Sequence, residues 1–309
     1  MRAVVVGGRG FLGAAVVREL LDRGDDVVVL DPRASQQGCD DQFGCGRVRD
    51  VVGDMLDPAG LRRHFAGAGE VYHMGGKLGT SELDDALHEA VAANITGSLH
   101  VFEAAEHAGV PTIFYPTKPN VWLNTYTITK VAAEQFAEIF NERGKVQIRS
   151  LRYFNAYGPG QALGPVRKII PFFVARALNR LPLLVYGDGE QTVDMIYSED
   201  IGRITVAFTR SGYRGTAIDC GRGEEMTVNA VARAVNDVTG NPAGIEHVPM
   251  RRGEVEGTRL AADIAPLRRA LRDIRFADWT ESLTRTIDWY AALDPARLAA
   301  AAGATGAAA

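Results

Sequence analysis

Three glycines, Gly7, Gly10 and Gly13, with two residues between each and the next, follow a β-branched run, Ala3-Val4-Val5-Val6, and lead into a stretch at 11–23 in which Leu12, Val16 and Leu20 recur at helical spacing. A strand that turns at once into a helix leaves few folds open. Each missing side chain has a use there: a tight turn, the approach of backbone to a pyrophosphate, and close packing of helix on strand. The first N–H groups of the helix then face the phosphates. Asp26-Val27-Val28-Val29-Leu30 reads as a second buried strand ending at Asp31, eighteen residues beyond Gly13, close to the roughly twenty at which an acidic residue meets an adenosine ribose. A carboxylate at that point accepts hydrogen bonds from the ribose and repels a 2′-phosphate, which favours NAD over NADP; Arg33, two residues on, softens that repulsion. Gly7, Gly10, Phe11, Leu12, Gly13 and Asp31 are thus the first expected cofactor residues.

Short apolar runs at 51–54, 71–74, 112–115 and 146–151 alternate with helical patterns at 57–65, 84–107 and 126–143. That rhythm predicts an α/β fold with a Rossmann-type, doubly wound parallel sheet. Beyond Tyr157-Gly158-Pro159-Gly160 the pattern breaks into Pro- and Gly-punctuated pieces. The expected division is a dinucleotide-binding domain at 1–157, to which 193–222 return, and a smaller interwoven substrate-binding lobe at 158–192 and 223–292. The Ala-rich tail at 295–309 is expected to fray, because it offers no side chains able to anchor in a core.

Composition narrows the function by exclusion. Thirty-four Lys and Arg against 38 Asp and Glu leave a net charge of −4, and no basic stripe interleaved with aromatics suggests nucleic acid as a partner. The N-terminal run meets glycine and arginine too soon for a signal-peptide core, and no apolar stretch reaches membrane-spanning length. The expectation is a cytoplasmic protein with no membrane partner. Cys39, Cys45 and Cys220 are odd in number and lack the paired spacing of a zinc site, so neither a disulfide framework nor a metal is expected.

Tyr126-Thr127-Ile128-Thr129-Lys130 places a phenol and an ammonium four residues apart, on one face of a helix. The cation favours the ionised phenol and makes Tyr126 a candidate acid and base. Either motif alone is weak, since such a pair is ordinarily a solvated helix face; their order in one chain reverses the odds.

With both motifs present, the chain resembles the extended short-chain dehydrogenase/reductase family, in particular its NAD-dependent nucleotide-sugar epimerase and dehydratase branch. The resemblance implies an adenine contact at Asp54, with Met55 beside it. It also implies a strand end beneath the cofactor at Val71-Tyr72-His73-Met74-Gly75-Gly76, which adds Met74, Gly75 and Gly76, and an Asn-x-x-Gly contact at Asn94. Arg152-Tyr153-Phe154-Asn155-Ala156-Tyr157-Gly158-Pro159 is nearly the family's R-Y-F-N-x-Y-G-P, whose Asn meets the substrate diphosphate; Asn155 takes that place. Lys168 and Ile169, Thr80 in the loop after Gly76, and Arg251 in Arg251-Arg252-Gly253-Glu254 complete the implied substrate contacts. A homodimer paired through the helices at 94–107 and 126–143 is implied too.

Two departures from the family pattern bear on the reaction. The loop between the fifth strand and Tyr126 is short, so Thr117 is the nearest hydroxyl for the sugar oxygen, although one register puts Lys118 there. Val193 stands where the family has a phosphate-binding Arg, and Arg251, Arg167 or Lys168 is left to substitute. Lys118 and Pro119 also occupy the place of the acidic pair with which a dehydratase eliminates water. The resemblance therefore implies a C4 epimerase acting on a nucleotide-diphosphate sugar through a transient 4-keto intermediate, with Tyr126, Lys130 and Thr117 as catalytic residues. A decarboxylase, a dehydratase or an epimerase at another position remains as an alternative, as does a catalytically decayed NAD-binding regulator.

Overall fold

Val4, Val5 and Val6 are at most 3% exposed, which puts the strand that carries them, β1 (Arg2–Val6), inside a sheet covered on both faces. The computed structural model describes residues 1–303 other than 35, 45, 47, 80, 251–254 and 256. Thr80 and Arg251, both expected at the substrate, lie outside the described residues. Up to Tyr153 the elements are α1 (Phe11–Asp22), β2 (Asp26–Asp31), α2 (Gln36–Phe43), β3 (Val48–Val52), α3 (Pro58–Phe65), β4 (Glu70–His73), α4 (Leu87–Val91), α5 (Gly97–Ala108), β5 (Thr112–Thr117), α6 (Thr125–Arg143) and β6 (Gln147–Tyr153).

These strands and the one at Ile218–Cys220 form a seven-stranded sheet in the order Ile218–Cys220, β6, β5, β4, β1, β2, β3. Every pairing in it is parallel. From β1 the chain winds towards β3, then from β4 in the opposite sense, so the topological switch lies between β1 and β4. Ligands of such sheets bind beyond the carboxyl ends of the strands at that point. On one face Leu61 and Phe65 of α3, Val101 and Phe102 of α5, and Ala137 and Phe140 of α6 pack with Val4, Val6, Ile113 and Tyr115. Each large buried side chain contributes about 1.5–3 kcal/mol.

The chain divides into two compact units: residues 1–153, 199–220 and 263–274, and residues 154–198, 221–262 and 275–309. In the first, Arg210, in the helix Ser198–Arg210, donates through Nε to Glu70 (3.0 Å) and through Nη2 to Asp25 (2.7 Å).

The second unit has its own core, with Phe172, Phe173, Val231, Val235, Leu283 and Tyr290 buried together. The strands at Thr192–Val193 and Met195–Tyr197, expected with the dinucleotide-binding domain, belong to this unit. Asp194 between them is fully buried, and its carboxylate accepts from the backbone N–H groups of Arg222 (2.7 Å), Gly223 (2.8 Å) and Ala262 (3.0 Å). Residues 263–274 join the first unit instead.

The tail expected to fray is helical over Pro295–Ala302. Alanine is the best helix former, Asp294 caps the first turn through the Ala296 N–H (3.0 Å), and Leu298 and Ala302 are buried in the core of the second unit. Arg176 Nη1 holds the last turn through the Ala302 carbonyl (2.9 Å). One leucine and the small alanine face supply the anchor that composition hid. Among the described residues, no helix is long and apolar enough to cross a membrane.

Candidate active site

The Gly-rich turn is packed backbone against backbone. Gly7 has φ +77°, and a Cβ on it would lie 2.6 Å from the Gly75 nitrogen; one on Gly13 would lie 2.2 Å from the Gly7 carbonyl oxygen. Gly10 caps α1 without a side chain, and no acidic residue occupies the first turn. Among the described residues no side chain therefore caps the first turn, and the positive end of the helix faces the cradle the glycines leave. A pyrophosphate fits this arrangement.

Asp31 closes β2 at 1% exposure. Its carboxylate accepts from the backbone N–H groups of Arg9 (3.2 Å) and Arg33 (3.0 Å) and from the Arg33 guanidinium (3.2 Å from Nε). Asp54 is exposed and accepts from the Leu56 N–H at 2.9 Å. Met55 beside it packs on Gly97, where a Cβ would come within 2.9 Å of the Met55 Cγ. The Met74 N–H donates to the Val6 carbonyl (2.8 Å), carrying the β1–β4 ladder one residue past β4 and so bringing Gly75 against Gly7.

Asn94 sits in a widened, π-helical turn, Ala92–Thr96, between α4 and α5, and is 2% exposed. Its Oδ1 accepts from the Lys77 N–H (2.7 Å), while its Nδ2 donates to the Lys77 carbonyl (3.0 Å) and to Thr129 Oγ1 (3.1 Å). It thus ties the loop after β4 to α6, across three segments of chain. Directly below, the Ser98 hydroxyl donates to the Asn94 carbonyl (2.8 Å), so it accepts from His73 Nε2 (2.9 Å). Burial pulls the His73 imidazole down to about 3, with the Lys130 charge adding to the effect; the ring is neutral, with its proton on Nε2.

Asn124 caps α6 by accepting from the Thr127 N–H (2.8 Å), which fixes the first turn that carries Tyr126. Asp84 accepts from the Thr125 N–H (3.2 Å) and hydroxyl (2.6 Å), pinning the preceding loop to the same turn. The Lys130 ammonium lies 4.1 Å from the centroid of the Tyr115 ring. Burial brings Lys130 down to about 7, opposed by the Glu134 carboxylate one turn further along α6. Glu134 is in turn paired with Arg152 of β6 (Nε to Oε2, 3.3 Å). Burial pushes the Tyr126 phenol up to about 12.

Thr117 ends β5 at 3% exposure, and its Oγ1 is buried without a hydrogen-bond partner. Most buried hydroxyls are hydrogen-bonded, so one left without a protein partner at the carboxyl edge of the sheet stands out. Lys118, next to it, donates to Thr127 Oγ1 (2.6 Å) and stands 6.0 Å from the Tyr126 ring centroid and 5.7 Å from that of Trp122. Thr117, Lys118, Tyr126 and Lys130 therefore share one corner, where β5 meets α6. The Trp122 indole N–H is a second buried orphan in this loop. Sequence reasoning passed over Trp122 and Asp84; Trp122 stands four residues before Tyr126, whereas Asp84 lies 41 residues before Thr125 and carries no local signal.

In the second unit, Asn155 opens the strand Asn155–Tyr157 and its N–H donates to the Asp194 carbonyl (2.9 Å). Lys168 caps the helix Ile169–Leu178, whose first residue is Ile169. Val193 is 8% exposed and pairs with Met226. Arg167 donates from Nη1 to the Tyr186 hydroxyl at 2.9 Å.

The chain is similar to known proteins over nearly its whole length. A UDP-N-acetyl-alpha-D-glucosaminuronate decarboxylase from Bacillus cytotoxicus is 26% identical over 313 residues, covering 94% of this chain and 97% of the relative. Among solved structures, an epimerase from Methanothermobacter thermautotrophicus superposes with a TM-score of 0.86 at 29% identity, covering 94% of this chain and 92% of that one. MoeE5 in complex with UDP-glucose and NAD superposes with a TM-score of 0.82 at 26% identity, covering 94% and 99% of the two chains. Residues 3–221 match the NAD dependent epimerase/dehydratase family, so this chain, whose glycine cradle and buried Asp31 suit NAD, belongs to that family.

Proposed function

We propose that the protein is an NAD-dependent nucleotide-sugar epimerase that inverts C4 of its sugar through a transient 4-keto intermediate. Lys118 carries this reading within the family. It is a cation held by Thr127 at the mouth of the Tyr126 corner, where elimination of water would require a carboxylic acid. Arg152-Tyr153-Phe154-Asn155, with its resemblance to epimerase usage, points the same way. Bound NAD supplies the hydride acceptor and donor. The Tyr126 oxygen takes the proton of the sugar hydroxyl and returns it after the keto-sugar has turned over. Thr117 Oγ1 hydrogen-bonds the same sugar oxygen, which fills its empty valence. Lys130, whose charge the Glu134 carboxylate supports against burial, is assigned the role of favouring the ionised phenol when protonated. Asn155, Lys168 and Ile169 are assigned to the substrate on the family resemblance, with Thr80 and Arg251 as further candidates.

A second reading, decarboxylation of a nucleotide-linked uronic acid, is favoured by the decarboxylase relative that covers 94% of this chain. Incubation with NAD and a panel of nucleotide sugars and nucleotide uronic acids, followed by chromatography and mass, separates the two. Altered retention at unchanged mass, abolished by Tyr126→Phe, supports epimerisation; loss of carbon dioxide establishes the second reading and overturns the first. The homodimer reading, through the helices at 94–107 and 126–143, is supported on the second of these by the apolar residues it exposes, Ile128 (53%) and Ile139 (45%). Light scattering of wild type beside Ile128→Glu tests it: a dimer converted to monomer supports the reading, and a monomeric wild type ends it.

A further inference from the structure

Asp31, the residue expected to accept from the adenosine ribose, is flanked by guanidinium groups. Arg33 donates to it through Nε (3.2 Å) and Nη2 (3.4 Å) from a side chain that is 69% exposed. Arg9, whose backbone N–H donates to the same carboxylate, extends its side chain towards β3, where Nη1 lies 3.5 Å from Asp50 Oδ2. Because Val29 pairs with Asp50 and Asp31 with Val52, that side chain passes the end of β2. Each aspartate thus has a guanidinium beside it, Arg33 at Asp31 and Arg9 at Asp50, so the formal charge of each is balanced.

This balance matters because a lone carboxylate rejects a 2′-phosphate by repulsion, and such repulsion falls when the carboxylate is already neutralised. Arg33 is 69% exposed while Asp31 is buried, so the Arg33 fork is free to turn from the carboxylate towards a phosphate, which it suits bidentately. Asp31 retains the Arg9 and Arg33 backbone N–H groups when the fork leaves, so its buried charge is not stranded.

We propose that this end of β2 accepts a 2′-phosphorylated adenosine ribose as well as the unphosphorylated one, with Arg33 and Arg9 holding the 2′-phosphate, so that the protein loads NADP alongside NAD. The proposal rests on Asp31 marking the adenosine ribose, and the NAD arm of its test examines that premise separately. Purified full-length protein, stripped of co-purifying nucleotide, is titrated calorimetrically with NAD, NADP and 2′,5′-ADP. NADP binding within about thirtyfold of NAD, together with a loss of NADP affinity relative to NAD of about tenfold or more in Arg33→Ala and in Arg9→Ala, is the expected result. NADP weaker than NAD by more than that margin, or an Arg33→Ala variant that weakens both nucleotides equally, overturns the proposal. If Asp31→Ala binds NAD as wild type does, the ribose assignment fails, and the proposal with it. Binding of 2′,5′-ADP that survives both arginine substitutions places the phosphate elsewhere and has the same consequence.

Discussion

Replacing Asn94 by Ala removes three hydrogen bonds at once: those to the Lys77 N–H, the Lys77 carbonyl and Thr129 Oγ1. At roughly 1 kcal/mol net for each bond, the loss is about 3 kcal/mol. Alanine's better helix propensity returns at most about 0.7 kcal/mol, so the substitution destabilises. The cost falls on a local contact, since Asn94 is what fastens the loop after β4 to α6. Hydrogen–deuterium exchange at the Lys77 amide reads it directly: at about 1.4 kcal/mol per tenfold, exchange is expected to quicken by roughly fiftyfold to a hundredfold. Asn94→Asp keeps the acceptor for the Lys77 N–H and loses both donors, so it is expected to fall between wild type and Ala. A double-mutant cycle with Thr129→Val, followed by urea unfolding, is expected to give a coupling of about 1 kcal/mol. A Lys77 amide that exchanges at the wild-type rate in Asn94→Ala would refute the reasoning, because it would mean that the loop is held by something other than this side chain.

Thr117→Val replaces an orphaned buried hydroxyl by a methyl group, so stability is expected to stay level or rise by up to about 1 kcal/mol, while kcat falls by about tenfold or more; a loss of stability in denaturant, or unaltered turnover, contradicts the role given to Oγ1. Lys130 is held near 7 against an ordinary 10.5, so the folded protein binds its proton less tightly than the unfolded chain and stability from this group rises with pH between those values. Lys130→Met is therefore expected to be inactive yet to melt at a higher temperature than wild type at pH 6, with the gap closing towards pH 10; a gap that widens with pH reverses the sign and excludes the burial argument. Gly13→Ala puts a methyl group 2.2 Å from the Gly7 carbonyl oxygen and is expected to cost about 1–3 kcal/mol of stability and at least about tenfold in NAD affinity, measured by thermal shift and calorimetry.

The parallel sheet was legible because its signals are local. β1, the glycine turn and β2 each announce themselves within a few residues, and β-branched runs buried on both faces leave little room for another reading. The helix predicted at 84–107 shows where locality ends: it begins at Leu87 and widens at Ala92–Thr96, because Asn94 bonds to residues 17 and 35 positions away. Asp194 likewise gathers N–H groups from 28 to 68 residues downstream, which is why the strands around it belong to the second unit. Pro295–Ala302 looked inert because helix-forming alanines are read as low complexity when their partner surface is unseen. At the site, the order of the motifs placed Tyr126 and Lys130. The empty valence of Thr117 and the Lys118–Thr127 bond depend on how β5 meets α6, which no spacing encodes.

Arg210 and Glu70 are separated by 140 residues in the chain. At a synthesis rate of about 5–20 residues per second, Glu70 emerges from the ribosome roughly 7–30 s before the arginine that neutralises it. From its own emergence until Ile218–Cys220 is made, β6 is an open parallel edge, because that strand is its outer neighbour. The first unit is thus discontinuous in time as well as in sequence: it cannot close until residues 263–274 have followed, with residues 154–198 and 221–262 of the second unit synthesised in between. Capture of nascent chains by chaperones is expected to peak between those lengths, and a circular permutant that brings 199–220 next to 153 is expected to shorten the vulnerable period.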